Sequence, residues 1–321
     1  MNLLKKIQEN IFRYELFERG AKIVIGVSGG PDSVCLLDAL CELKEKYDLQ
    51  IVAAHVNYGL RGKDSDLDEK LAKNLAEKYS LPVEILSFTK YEKSEIRNTI
   101  SEEKLRKIRY DFFEKIQKKY RANAIAVGHN LNDQTETVLM RIIRGTGIRG
   151  LGAIKFKNNN IIRPLLNIPR KEIIAYLRSN KTPYRIDKTN LSADFTRNKI
   201  RNKLLPELEK EYNPNIQEIL YKFSESAAAD YDFIARFAGV WLETNKDMRV
   251  SALSNLHPSI RREVLRQSLE KHNPNLQNIE SAHIEEIMKI LKSNKSKRQQ
   301  IAFKGLKIER IGDRLFINSK Y

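Results

Sequence analysis

The 321-residue chain has only two cysteines, Cys35 and Cys41, and no C-x-x-C pair. That scarcity excludes a disulfide framework and a paired-thiolate metal site. Six apart in a helical stretch, the two thiols point to different faces and read as small buried hydrophobes. No apolar run is long enough to cross a bilayer. The first stretch, Met1 to Arg19, mixes Lys5, Lys6, Glu9 and Glu15 with Leu and Ile in an amphipathic pattern. It lacks the uninterrupted apolar core and small-residue cleavage site of a signal peptide, so a soluble, cytoplasmic protein with no membrane role is expected. There is no internal repeat, and no low-complexity segment beyond the Lys/Ser/Asn patch at Lys292 to Lys297.

Acidic residues are few relative to basic ones: 41 against 58, a formal net charge of +17. Such an excess favours a polyanionic partner, whether tRNA, rRNA, DNA or an acidic membrane surface. The lesser reading is a lysine- and asparagine-rich composition that reflects only genome bias. The length predicts two domains.

The most informative stretch is Val24-Ile25-Gly26-Val27-Ser28-Gly29-Gly30-Pro31-Asp32-Ser33. Its apolar, β-branched start predicts a buried strand. Two glycines then allow a sharp turn with exposed N–H groups, and Asp32 and Ser33 open a helix with Val34, Leu37 and Leu40 on one face. Strand, glycine turn and helix N-terminus together cradle phosphate. No lysine precedes Ser33, which excludes a Walker A loop, and the dinucleotide fingerprint G-x-G-x-x-G is missing too.

Three further apolar runs, Ile51 to Val56, Pro82 to Phe88 and Ala124 to Gly128, alternate with helical segments. The helices expected there run from Asp64-Ser65-Asp66 to Tyr79, from Ser101 to Tyr120, and from a cap at Asn132 onward. This alternation predicts an α/β fold with a parallel sheet covered on both faces, whose ligands bind beyond the strands' C-terminal ends. The polar clusters Ser28 to Ser33, His55 to Tyr58 and His129 to Glu136 all fall at such ends. Arg144 to Gly152 reads as a basic glycine loop, or as a helix end followed by ordinary turns. A basic stretch holding Asp187-Lys188-Thr189-Asn190 and Arg197 to Lys203 opens another helix; Arg197 and Arg201, four apart, form either a solvated face or an RNA-backbone stripe. Glu211 to Asn215 marks a boundary between a domain over 1–212 and a smaller one over 213–321. The latter is expected to hold helices over Ile216 to Asn245, Leu256 to Lys271 and Ala282 to Lys292, then a small antiparallel meander.

The SGGxDS run resembles the signature of the PP-loop ATP pyrophosphatases, which cleave ATP between its α and β phosphates. Several stretches in order over roughly residues 20 to 205 resemble one branch, the tRNA(Ile)-lysidine synthetases: His55 to Gly62, Glu103 to Tyr110, Gly128 to Thr137, Arg144 to Gly147, Arg163 to Leu166 and Arg197 to Arg201. Tyr58 stands where many members carry a second histidine. The chain also stops after one helical domain, as a short-form member would.

The resemblance implies a PP-loop (adenine nucleotide alpha hydrolase-like) catalytic domain followed by a mainly helical tRNA-binding domain. It implies ATP-dependent attachment of lysine to carbon 2 of the wobble cytidine in the CAU anticodon of an isoleucine tRNA. ATP (with Mg2+), free lysine and that tRNA are then the expected ligands, and a homodimer is left open. On this chemistry Ser28, Gly29, Gly30, Pro31, Asp32 and Ser33 hold phosphate. Asp32 and Asp133 are hard oxygen ligands for magnesium. His55 falls near adenine or is a satisfied core histidine. Glu136 takes the lysine ammonium or its proton, or merely solvates its helix. Arg109 contacts phosphate or pairs with an acid. The alternatives are a tRNA-thiolating relative, which would need reactive or paired cysteines, and a non-catalytic tRNA-binding protein.

Overall fold

Chain segments rich in β-branched residues form the centre of the molecule. Strand β1 (Lys22–Gly26) lies between β2 (Gln50–Asn57) and β4 (Ala124–Ala126), and β3 (Val83–Ser87) flanks β2, all four parallel. The structure is a computed structural model that describes residues 2–88, 101–186, 196–272, 279–293 and 298–319. Within it the chain divides into two compact units, residues 1–225 and 226–321. The division falls inside a long helix, whereas the sequence marked 212/213 at a Pro-Asn turn.

In the first unit the sheet order is β3-β2-β1-β4-β6-β5. Side chains alternate along β1: Ile23 and Ile25 pack with Leu36, Leu37 and Leu40, while Val24 packs on the other face with Phe113 and Ile116. Helices therefore cover both faces, as the absence of any polar alternation in these strands requires. On the first face lie α1 (Leu3–Arg13) and α2 (Pro31–Glu42), followed by the short α3 (Lys44–Tyr47) and by α4 (Lys63–Lys78). The opposite face carries α5 (Glu102–Tyr120). The order reverses at β1: the chain winds outward to β2 and β3, then crosses to β4 on the other side. That switch point opens a crevice between the ends of β1 and β4.

Two features were not legible beforehand. The hairpin β5 (Lys157–Asn158) and β6 (Ile161–Ile162) closes the sheet with an antiparallel edge, β6 pairing parallel to β4. Two-residue strands carry no periodicity to read. The helix α6 (Leu131–Arg144) is capped by Asn130, not Asn132: the Asn130 carboxamide accepts the Asp133 N–H, and the Asp133 carboxylate accepts the Asn130 N–H. Asn132 serves the next element instead, its Oδ1 accepting the Arg170 N–H (3.0 Å) at the start of α8 (Arg170–Ser179), which follows the one-turn α7 (Ile148–Leu151). Likewise Gly62, with φ +53°, stands at the N-cap of α4, leaving Asp64 and Asp66 in its first turn.

Residues 196–212 form a helical run, α9, with π turns at Ile200–Leu204 and Leu208–Tyr212. Asp187 to Asn190 and residues 294–297 of the Lys/Ser/Asn patch lie outside the described residues. Helix α10 (Ile216–Thr244) precedes α11 (Val250–Ser254), α12 (Pro258–His272) and α13 (Ser281–Lys292). The second unit ends in the expected antiparallel meander of β7 (Gln299–Phe303), β8 (Leu306–Ile311) and β9 (Arg314–Ser319). Ile301, Ile308 and Ile317 stand in register across it; Ile308 and Ile317 join the buried cluster of Val264, Leu265, Leu269 and Ile287, and Ile301 packs against it. Among the described residues no helix is long and apolar enough to cross a membrane.

The crevice depends on a close approach. A Cβ at Gly128 would lie 2.8 Å from the Asp32 carbonyl carbon and 2.9 Å from the Ser33 nitrogen. Backbone cannot yield as a flexible side chain does, so Gly128→Ala should destabilise the protein by about 1–3 kcal/mol. A chemical denaturation midpoint unchanged from wild type would contradict this packing.

Candidate active site

After Gly26 the chain leaves the sheet. Val27 still donates its N–H to the Ala54 carbonyl (2.8 Å), and Gly29 then turns the backbone at φ +84°. A side chain there would be strained and would press on Asp68 at 3.3 Å. The loop closes on itself through two hydroxyls. Ser33 Oγ accepts the Ser28 N–H (3.0 Å) and donates to the Gly30 carbonyl (3.0 Å). Its single proton is thereby used, so Ser28 Oγ, also 3.0 Å away, is the donor between them. Pro31 occupies the first turn of α2 and no side chain caps that end. The start of α2 therefore keeps the N–H groups and positive dipole that attract an anion.

Two cavities meet at this loop, and Ser28, Gly30 and Asp32 border both. One, of about 210 Å³, is aromatic, with Tyr58, Tyr110 and Phe113 beside Val56, Arg109 and His129. The Tyr58 hydroxyl donates to the Leu105 carbonyl (2.8 Å), and the Arg109 guanidinium lies 5.9 Å from the centre of the Tyr110 ring. The other, of about 220 Å³, is lined by charges: Arg61, Arg170, Arg185 and Arg201 face Asp32, Asp68 and Asp133. A larger cleft of about 670 Å³, around Glu9, Glu218 and Lys222, includes none of the Ser28–Ser33 loop.

In the charged cavity each acid has cationic or amide partners. Asp32 accepts from Asn130 Nδ2 (2.8 Å) and from Arg170 Nη1 (3.1 Å). Burial, reinforced by the charge of Asp133 and opposed by Arg170, raises its carboxyl to about 6. Asp68 holds Arg61 (2.6 Å) and Arg185 (2.7 Å). Asp133 accepts from Arg197 (2.8 Å) and Arg201 (3.2 Å), and the same two guanidiniums grip Glu136 at 2.8 Å and 2.5 Å.

Arg197 and Arg201 are thus neither a solvated face nor an outward stripe. Their four-residue spacing on α9 matches the three-residue spacing of Asp133 and Glu136 on α6, and the two pairs interlock. Glu136, 1% exposed, is no helix-solvating residue.

The structure brings Ser28, Gly30, Pro31, Asp32 and Asp133 to the charged cavity and Arg109 to the aromatic one. Glu136 touches the arginines behind Asp133. His55 lines neither cavity. Strand alternation turns Val56 and Tyr58 toward the crevice and His55 away, where it is 3% exposed and its Nδ1 lies 2.7 Å from the Val27 carbonyl.

Several contributors escaped sequence reasoning. Asp68 and Arg185 occupy positions with no motif around them. His129 did belong to a marked strand end, but its partner could not be read. Arg163, buried, donates from Nε to His129 Nδ1 (3.3 Å) and from Nη1 to the Lys155 carbonyl (2.7 Å). Burial holds the His129 imidazole well below its ordinary pKa, aided by the Arg163 charge and countered by Asp133. It is therefore neutral, and its proton sits on Nε2.

Residues 2–208 match a family model described as a PP-loop domain, and residues 248–316 match a TilS substrate binding domain. The chain is 37% identical over 298 residues to a protein named tRNA(Ile)-lysidine synthase from Clostridium tetani, covering 91% of this chain and 64% of that one. It is 34% identical over 316 residues to the protein of the same name from Clostridium perfringens, covering 96% and 67% respectively. The chain thus spans about two thirds of the length of the curated relatives it matches. Among solved structures, the U34-tRNA thiolase NcsA from Methanococcus maripaludis with its 4Fe-4S cluster superposes with a TM-score of 0.58. The identity is 22%, over 70% of this chain and 76% of that one, a likeness of fold.

The raised carboxyl of Asp32 has a consequence for stability. The folded state holds this proton more tightly than the unfolded chain does. Ionisation of Asp32 therefore erodes stability as pH climbs from about 4, the unfolded value, to about 6. Asp32→Asn should be more stable than wild type at pH 7.5 by about 1–3 kcal/mol, with the difference fading below pH 4. Denaturation curves at several pH values test this; an Asn variant that is less stable at pH 7.5 would contradict it.

Proposed function

The chain belongs to the tRNA(Ile)-lysidine synthase family, and on that premise we propose that it joins lysine to carbon 2 of the wobble cytidine in the CAU anticodon of an isoleucine tRNA, converting ATP to AMP and diphosphate. The observation that carries the reading is the meeting of an aromatic cavity and a charged one at the Ser28–Ser33 loop. A nucleoside suits the first, a phosphate chain the second, and the loop amides suit the phosphates that cross between them.

The chemistry has two steps. The cytosine O2 attacks the α-phosphorus, an O–P bond forms, and the bond to the β-phosphate breaks to release diphosphate. The lysine amine then adds at carbon 2, the C–O bond breaks with AMP leaving, and the amine proton passes to a base. An amide-like oxygen leaves poorly; as part of AMP it leaves well.

We assign the residues as follows. Ser28, Gly29, Gly30, Pro31 and Ser33 hold phosphate, and Arg109 steadies the α-phosphate where charge develops. Arg61, Arg170 and Arg185, which the sequence did not single out, face the β- and γ-phosphates or the departing diphosphate. Asp133 and Glu136 orient the amine. Arg197 and Arg201 disfavour its ammonium form, so the neutral nucleophile is favoured beside an acid that accepts its proton.

Magnesium fits this donor set in one way. Among the described residues no group of three or more His, Cys, Asp or Glu side chains lies close enough together to hold a metal ion, so an all-protein cage is not offered. Asp32 and Asp133 can share the ion with substrate phosphate oxygens, the usual mode for this cation, and it would neutralise charge on the triphosphate. Residues 1–212 would supply catalysis and 213–321 the grip on tRNA, whose wobble base must be splayed out to reach the crevice.

The sulfur-transfer alternative finds no support in the thiols. Burial pushes Cys35 up, and it pushes Cys41 up to about 12, so neither is a poised thiolate.

Incubating the protein with a CAU-bearing isoleucine tRNA, ATP and labelled lysine should leave label in the tRNA, and changing the wobble C to U should abolish it. Asp32→Ala should fold and incorporate at least about a hundredfold less label, on the scale of one lost transition-state contact; near-wild-type turnover would refute its assignment. With a net charge of +17, tRNA binding should weaken by at least about tenfold between 50 mM and 200 mM salt. A filter-binding titration insensitive to salt would sink the electrostatic part of the reading.

A further inference from the structure

The Val27 carbonyl stands at the last point where β1 touches the sheet. The Val27 N–H reaches Ala54, but among the described residues its oxygen meets a side chain: His55 Nδ1, 2.7 Å away. A carbonyl can only accept, so the imidazole carries its proton on Nδ1 and donates. That fixes the tautomer. The other ring nitrogen, Nε2, is buried without a hydrogen-bond partner, which is tolerable for a bare lone pair and expensive for a charged N–H. Burial accordingly lowers the pKa of this histidine, countered by the Val27 contact and by Glu69 and Asp68.

From this geometry we propose that His55 is a positioning residue for the phosphate loop: its Nδ1–H replaces the missing sheet donor to Val27 and sets the plane of the Val27–Ser28 peptide. The Ser28 N–H belongs to that same peptide and is the group bound by Ser33 Oγ at 3.0 Å. Tilting the peptide would move this N–H and with it the Ser28–Ser33–Gly30 hydrogen-bond chain that shapes the cradle. On the far side Asp68 crowds Gly29 and Arg185 N donates to the Gly29 carbonyl (2.9 Å). The loop is held from β2, where the imidazole adds to the Val27–Ala54 bond, and from the chain near Arg185. This role rests on the proposed ATP-binding reading, and it places the residue one peptide away from the phosphates instead of beside adenine.

Two substitutions separate the donor from the ring. Asparagine places its side-chain N–H near the position of Nδ1, whereas leucine fills the space without a donor. In the full-length protein, His55→Leu should weaken ATP binding by on the order of tenfold, the scale of one buried acceptor left unpaired. His55→Asn should stay within about threefold of wild type. Calorimetric titration with ATP reads binding, and tRNA-dependent ATP–pyrophosphate exchange should show the Leu variant's loss chiefly in KM for ATP. A Leu variant that binds like wild type, or a folded Asn variant as weak as Leu, would overturn the assignment. Should wild type itself bind no ATP, the proposed function fails first; wild-type binding with indifferent variants removes only the role of His55.

Discussion

One carboxamide joins the two strand ends that make the crevice. Asn130 Oδ1 caps α6 by accepting the N–H groups of Asn132 and Asp133, while Nδ2 donates to Asp32 at the first turn of α2. Asn130 is 1% exposed, so both sets of bonds form away from competing water. The first turns of two helices with different origins in the chain are thereby tied together by a single planar group. Gly128, two residues earlier, permits this by letting the end of β4 lie against the α2 backbone. Without that approach the phosphate loop and the acids of α6 would belong to separate surfaces.

Charge balance explains why so many ionised groups can converge on so small a space. Four arginines face three aspartates in the charged cavity, and Arg197 with Glu136 closes the cluster behind. Each buried acid is shared by at least two donors, and each of Arg185, Arg197 and Arg201 bridges two acids. Such bridging fixes rotamers as well as charge, since a guanidinium that spans two carboxylates has no freedom to swing. The pairs are weak evidence of stability, because desolvation offsets much of the attraction. They are stronger evidence of a preset electrostatic surface, and the π turn at Ile200–Leu204 within α9 lies where such irregularities accompany function.

The frame of this site was legible in the amino-acid order. Largely apolar, β-branched-rich runs at Ile23 to Val27 and Ile51 to Val56 pointed to buried parallel strands, and polar clusters after them to the crevice. Serine and glycine types at 28–30 gave the turn. What could not be read was parity and pairing. His55 and Val56 differ by one position in a strand, and that single step decides which one meets the cavity. Arg197 and Arg201 looked outward on composition alone, because nothing local says that Asp133 and Glu136 lie against them. Asp68 and Arg185 contribute through contacts across more than a hundred residues of chain, and such contacts leave no trace in spacing. Asn130 and Asn132 both suit the cap of α6 by residue type, and only the direction of the chain leaving β4 selects Asn130.

The arginines nearest the loop are already engaged, and this shapes what a polyanion can do there. A triphosphate entering the charged cavity must take Arg61 or Arg185 from Asp68, or Arg170 from Asp32, in place of occupying idle cations. Exchange of this kind contributes little net Coulomb energy and much selectivity, since only an anion whose oxygens match the vacated positions recovers the lost bonds. The Asp32 carboxyl, reluctant to ionise when buried beside Asp133, would on the proposed reading be favoured in its charged form by a cation brought in with the phosphates. On the proposed reading, the net charge of +17 would therefore attract a long polyanion from surfaces outside this cavity. Within the cavity opposite charges nearly cancel, and what recognises the ligand is their arrangement.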